Sequence, residues 1–149
     1  DRIRRGQDNL EYVLVPAAET DIGEDIVISQ TDIRELQLAK GAIYAGLMIL
    51  LKEAGITIEK LDQVLLAGAF GNYVSKESAL AIGLLPALPP EKIVAIGNAA
   101  GDGSRMALAS KTMRERAIKI PEMVQHVELS TRTDFQDIFI GAMAFRNLQ

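Results

Sequence analysis

Apolar residues follow two rhythms along this chain. Glu11-Tyr-Val-Leu-Val15 and Asp25-Ile-Val-Ile-Ser29 are short runs rich in β-branched and aromatic residues, and the polar stretch between them contains Gly23. The pair reads as a hairpin with a long loop. From Thr31 the period changes. Ile33, Leu36, Ala39, Ile43, Leu47, Leu50 and Leu51 recur at helical spacing. Thr31 is suited to cap this helix, Asp32 and Glu35 favour its positive end, and Gly55 is placed to end it at positive φ. Gly41 and Gly46 inside it each cost about 1 kcal/mol against alanine, which points to close packing against another backbone or a ligand.

Val64-Leu-Leu-Ala67 and Lys92-Ile-Val-Ala-Ile96 lack alternation and read as strands buried on both faces. Each runs into a glycine-rich turn and then a helix. Ser75 caps the first of these helices, which ends near Gly83; the second follows Ser104 to about Ala117, with Met106 and Met113 on its core face. Val124–Leu129 reads as a last extended run. Thr133, with Gln136 in capping-box position, opens a terminal helix carrying Phe135, Ile138, Phe139, Ala142, Met143 and Phe145. Residues 1–9 are polar and read as a linker or boundary segment, leaving 10–149 as one lobe. Helices that separate β-runs predict an α/β fold with a largely parallel sheet and helices on its faces.

Composition narrows the function. Hydrophobic residues make up 48% of the 149 and charged residues 24%, as in a soluble globular domain. A net charge of −4 argues against nucleic-acid binding through a basic surface. The longest apolar run, Ala42–Leu51, is too short to cross a bilayer, which needs about 20 residues. There is no cysteine, hence no disulfide and no Cys-ligated zinc or iron–sulfur cluster in this chain, in keeping with a cytoplasmic setting. The first residues, Asp1-Arg-Ile-Arg-Arg5, read as a cut from a longer protein. His126, the sole histidine, reads as structural.

The candidate chemistry lies in the two glycine turns. Gly68-Ala-Phe-Gly-Asn-Tyr73 and Gly97-Asn-Ala-Ala-Gly-Asp-Gly-Ser104 each follow a strand, at the end where open α/β sheets bind ligands. Glycine lets backbone approach a flat or anionic group, and the following helix offers free N–H groups to phosphate oxygens. Neither turn is a dinucleotide fingerprint or a P-loop. Asp21-Ile-Gly23 has the Asp-x-Gly form of a phosphate signature, set against the simpler reading of a solvated loop.

Ser29-Gln-Thr-Asp-Ile-Arg34, Gln37-Leu-Ala-Lys-Gly-Ala-Ile43, Leu66-Ala-Gly-Ala-Phe-Gly-Asn-Tyr73, Ile82-Gly-Leu-Leu-Pro86, Gly97-Asn-Ala-Ala100 and the Asp134–Phe145 helix resemble the C-terminal domain of the reductive activators of corrinoid proteins. That family belongs to the superfamily of actin, sugar kinases and heat-shock chaperone ATPases. The resemblance implies a ribonuclease H-like (actin-like ATPase) lobe with a mixed central sheet and helices on both faces. It also implies ATP with Mg²⁺, whose hydrolysis drives an electron from an iron–sulfur cluster to cob(II)alamin and restores the cob(I) state used in methyl transfer. The cluster and the first phosphate-binding segment are expected upstream, so the piece alone should not hydrolyse ATP. The implied partners are a corrinoid protein and the rest of its own chain; a homodimer is left open by the sequence.

Gly68, Ala69, Phe70, Gly71 and Asn72, facing Gly97, Asn98, Ala99, Gly101 and Asp102, are the candidate nucleotide residues; Lys40 and Gln37 join them from the long helix. Ala69 departs from the superfamily's usual second glycine. Phe70 reads either as an adenine platform or as a core plug, and Asp102 either as a holder of Mg²⁺-bound water or as a charge that stabilises a helix N-terminus. Two other functions compete: another kinase-like lobe of the superfamily, and a protein-docking module without nucleotide.

Overall fold

A computed structural model describes residues 2–6 and 9–145, with Phe70 described through its backbone alone. The elements run β1 (Ile3–Arg5), β2 (Leu10–Val15), β3 (Ile26–Ser29), α1 (Gln30–Ala54), β4 (Val64–Ala67), α2 (Gly68–Tyr73), α3 (Lys76–Ala81), β5 (Ile93–Gly97), α4 (Ala99–Ala109), α5 (Lys111–Met123) and α6 (Thr133–Met143). The chain is α/β as expected. Its strands fall into two sheets, an antiparallel β1-β2-β3 and a parallel β4-β5.

The hairpin forms as read, with Tyr12 opposite Ile28 and Val13 opposite Val27. Residues 1–9, expected as a linker, contribute β1, whose Ile3 pairs with Tyr12. The long β2–β3 loop is tied by Asp25, which accepts from the Ala17 N–H and, at 2.6 Å, from Arg4. Asp21 lies exposed in that loop's turn, on a different sheet from the two glycine turns.

α1 spans 25 residues. Its cap is Ser29 rather than Thr31: the Ser29 hydroxyl accepts from the Asp32 N–H while the Asp32 carboxylate accepts from the Ser29 N–H. Gly55 ends it at φ 63°, as expected. Gly41 is where α6 crosses, since a Cβ there would stand 3.2 Å from the Phe139 carbonyl oxygen. That contact explains a glycine whose helix propensity argues against it. The core joins Ala79, Leu84, Leu85 and Ile93, with Leu47 of α1 and Val64 and Leu66 of β4 packed on it.

Five further expectations change. β4 is buried on one face only: Val64 and Leu66 turn to the core, while Leu65 is 55% exposed. A two-stranded sheet cannot cover both of its own faces. The helix after Ser104 is two helices, broken at Ser110, whose hydroxyl accepts from the Met113 N–H; α5 reaches Met123 with Pro121 in its last turn. Met106 and Met113, expected in the core, are exposed on this α4–α5 hairpin. Residues 124–129 pair with no strand, and α6 starts with Thr133 inside it, behind Arg132, whose side chain makes no capping bond.

Candidate functional site

β4 and β5 lie side by side and parallel, with Val64 opposite Ile93, Leu65 opposite Val94, Leu66 opposite Ala95 and Ala67 opposite Gly97. Their C-terminal tips therefore point the same way, and both glycine turns leave the sheet from one end. The register shifts between Leu66 and Ala67, bringing the tips level. Each tip turns on a glycine of positive φ: 80° at Gly68 and 67° at Gly97. Among the described residues, nothing lies within 4 Å of a Cβ placed on either. Their glycine identity therefore answers a backbone requirement, and each faces open space.

The other glycines divide by role. Gly71 is buried, and a Cβ there would fall 2.6 Å from the Leu66 carbonyl oxygen, so it exists to press α2 onto β4. Gly101 gives room to Asn98, whose Oδ1 accepts from the Gly101 N–H at 3.0 Å and caps α4. Asn98 thus has a structural task at the turn. Ala69 and Asn72 are exposed on α2, and Ala99 is half-buried in the first turn of α4. The Phe70 ring lies outside the described residues. Asp102 sits exposed in the first turn of α4 and pairs with Arg105 at 3.4 Å, the arrangement of a charge favoured by a helix N-terminus.

Lys40 is placed elsewhere. It is 1% exposed, and its Nζ donates to the Ala142 and, at 2.7 Å, the Ala144 carbonyl oxygens, with the Phe145 ring centroid 5.2 Å away. The cation closes the C-terminal end of α6, where unpaired carbonyls and the helix dipole attract positive charge. A cleft of about 270 Å³ beside it is lined by Tyr44, Gly83, Ile138 and Gly141 as well. Tyr44 and Gly83 carry no signal in the sequence as lining residues, because their place depends on how α1, α6 and the turn after α3 meet. Gln37, one turn before Lys40, is half-buried.

A larger polar cleft of about 950 Å³ opens between the antiparallel sheet and the start of α1. Its main charges are already matched: Arg4 bonds Glu11 at 2.7 Å as well as Asp25. The Ala17 N–H and then Arg4 hold the Asp25 carboxyl below its ordinary range, and the Ser29 hydroxyl and N–H do the same for Asp32. Among the described residues, no three His, Asp or Glu side chains gather as a metal site. No helix there is long and apolar enough to cross a membrane.

Comparisons with known proteins bear on the family. The family described as the C-terminal domain of RACo, the ASKHA domain, matches residues 1–149. The corrinoid activation enzyme RamQ of Eubacterium limosum is 40% identical over 129 residues, which are 87% of this chain and 22% of the relative. The [Co(II) methylated amine-specific corrinoid protein] reductase of Methanosarcina barkeri is 29% identical over 137 residues, 91% of this chain and 25% of the relative. A solved reductive activator for corrinoid, iron–sulfur protein superposes with a TM-score of 0.85 at 39% identity, over 97% of this chain and 23% of that one. The chain thus spans about a quarter of the length of the relatives it matches. Matched from end to end, with the same fold as a reductive activator, the chain belongs to the family of RACo C-terminal ASKHA domains.

Proposed function

We propose that this chain is the nucleotide-holding lobe of a longer activator that uses ATP to reduce cob(II)alamin to cob(I)alamin on a corrinoid partner protein. The observation that carries the reading is the pair of positive-φ glycines, Gly68 and Gly97, at neighbouring parallel strand tips. Ligands of open α/β sheets collect at that end. The names of the relatives supply the chemistry: one is a corrinoid activation enzyme and another a reductase of a Co(II) corrinoid protein.

The residues present fit part of such a ligand. Gly68 and Gly97 bring bare backbone to the strand tips, and Asn98 fixes the first turn of α4, whose N–H groups favour negative charge. Bound ATP would supply the free energy for uphill electron transfer. This chain's part is to hold and orient it. Mg²⁺ would rest on phosphate oxygens and on groups of the longer protein, since no acidic cluster stands ready among the described residues. An iron–sulfur cluster does not fit this chain, which has no cysteine.

Hydrogen exchange on the longer protein tests the reading. A non-hydrolysable ATP analogue should slow exchange of amides in both 68–72 and 97–102. Unchanged exchange in both segments at saturating analogue removes the two turns from the nucleotide site.

A further inference from the structure

The α4–α5 hairpin carries a second surface, remote in character from the glycine turns. Its two helices pack chiefly on each other. The bend between them is held from within: Arg114 donates to the Ala107 carbonyl at 3.0 Å and to the Leu108 carbonyl at 3.3 Å, closing the end of α4. Between the helices runs a groove of about 480 Å³ whose floor includes Met106, Met113, Ile120 and Met123. Met123 is 82% exposed. Methionine side chains are flexible and polarisable, and they suit a surface that moulds itself to an incoming apolar face.

Charge says what kind of face that is. The charged groups lining the groove, Arg116 and Lys119, are both cationic, and neither has an ion-pair partner among the described residues. Two of the hairpin's acids are already engaged, Asp102 with Arg105 and Glu115 with Lys111, and the third, Glu122, does not line the groove. On a chain of net charge −4 this is a local positive rim around an apolar floor. We infer that the α4–α5 groove docks an acidic amphipathic helix of the corrinoid protein, apolar side in, with carboxylates set against Arg116 and Lys119. This rests on the proposed corrinoid-activating function and adds to it the place of contact. Same-sign rim charges of this kind steer encounter and fix register.

The test uses the full-length activator and its corrinoid protein, with calorimetric binding at two salt concentrations. The double variant Arg116→Glu/Lys119→Glu should bind roughly tenfold more weakly and with less salt dependence, while ATP turnover of the activator alone stays unchanged. Ile120→Asp, which alters the floor, should weaken binding as well. In hydrogen exchange, residues 103–123 should gain protection only when the corrinoid protein is added. Wild-type affinity in both variants overturns the inference. So does exchange in 103–123 that is unchanged when the corrinoid protein binds, which would show that the groove lies outside the contact. Failure of the unaltered activator to bind the corrinoid protein is a different result, one that removes the proposed function itself together with this contact.

Discussion

At Gly71 an added methyl group would meet the Leu66 carbonyl oxygen at 2.6 Å, whereas at Gly103, on the groove side of α4, it would meet no described atom within 4 Å. The two positions therefore answer the same substitution with opposite sign. Gly71→Ala should destabilise by about 2 kcal/mol or more, because backbone cannot move aside as a side-chain tip can. Gly103→Ala should stabilise by about 0.5–1 kcal/mol through restricted freedom of the unfolded chain and better helix propensity. Urea denaturation of both variants checks this, and a destabilised Gly103→Ala would show that the groove side of α4 is covered. Gly68 is a third case. Its φ of 80° strains any β-branched replacement by roughly 1–3 kcal/mol, so Gly68→Val tests backbone conformation and ligand approach together.

Among the elements, α1 and α6 make the most extensive union. Gly41 admits α6 closely, Phe135 and Phe139 stack with ring centroids 6.0 Å apart, and Lys40 reaches the last carbonyls of the helix. Arg132 and Lys52 converge on Asp134 at the other end of α6, where Arg132 also reaches Glu53. Lys40→Met keeps the apolar stem but leaves the Ala142 and Ala144 carbonyls without their donor. It should cost about 2–3 kcal/mol. Proteolysis of the variant should release α6 before the core. Stability equal to that of the unaltered chain would mean that water reaches those carbonyls in its place.

The whole molecule carries an acid sensitivity that these groups set. Asp134, bonded by Arg132 and then by Lys52, is held well below the ordinary Asp value of 3.8, and Asp25 and Asp32 are lowered in the same direction. A carboxyl whose folded value is depressed contributes stability that is present in full above its unfolded value and lost as pH falls through the folded one. Thermal midpoints should therefore hold steady from neutral pH to about pH 5 and fall below about pH 4. Asp134→Asn should lower the midpoint at neutral pH and flatten the acid decline. A variant with the same acid slope as the unaltered chain would strip Asp134 of this role.

Local chemistry alone was enough to read the hairpin of β2 and β3, the long α1 with its Gly55 stop, and the two strand–glycine–helix units, because residue period and turn residues act over a few positions. It also read the cap at Ser75, whose hydroxyl accepts from the Ser78 N–H. Contacts distant in sequence decided the rest. From the sequence Lys40 reads as a nucleotide-site residue or as part of a solvated helix face, whereas α6, about a hundred residues on, brings its carbonyls to the ammonium. The spacing of Met106 and Met113 has the same period whether the stripe faces a core or a groove, and only the break at Ser110 turned it outward. The parallel pairing of β4 with β5 placed both glycine turns at one end of a sheet. Backbone direction within a sheet is set by pairing with another strand, and no single run of residues contains it.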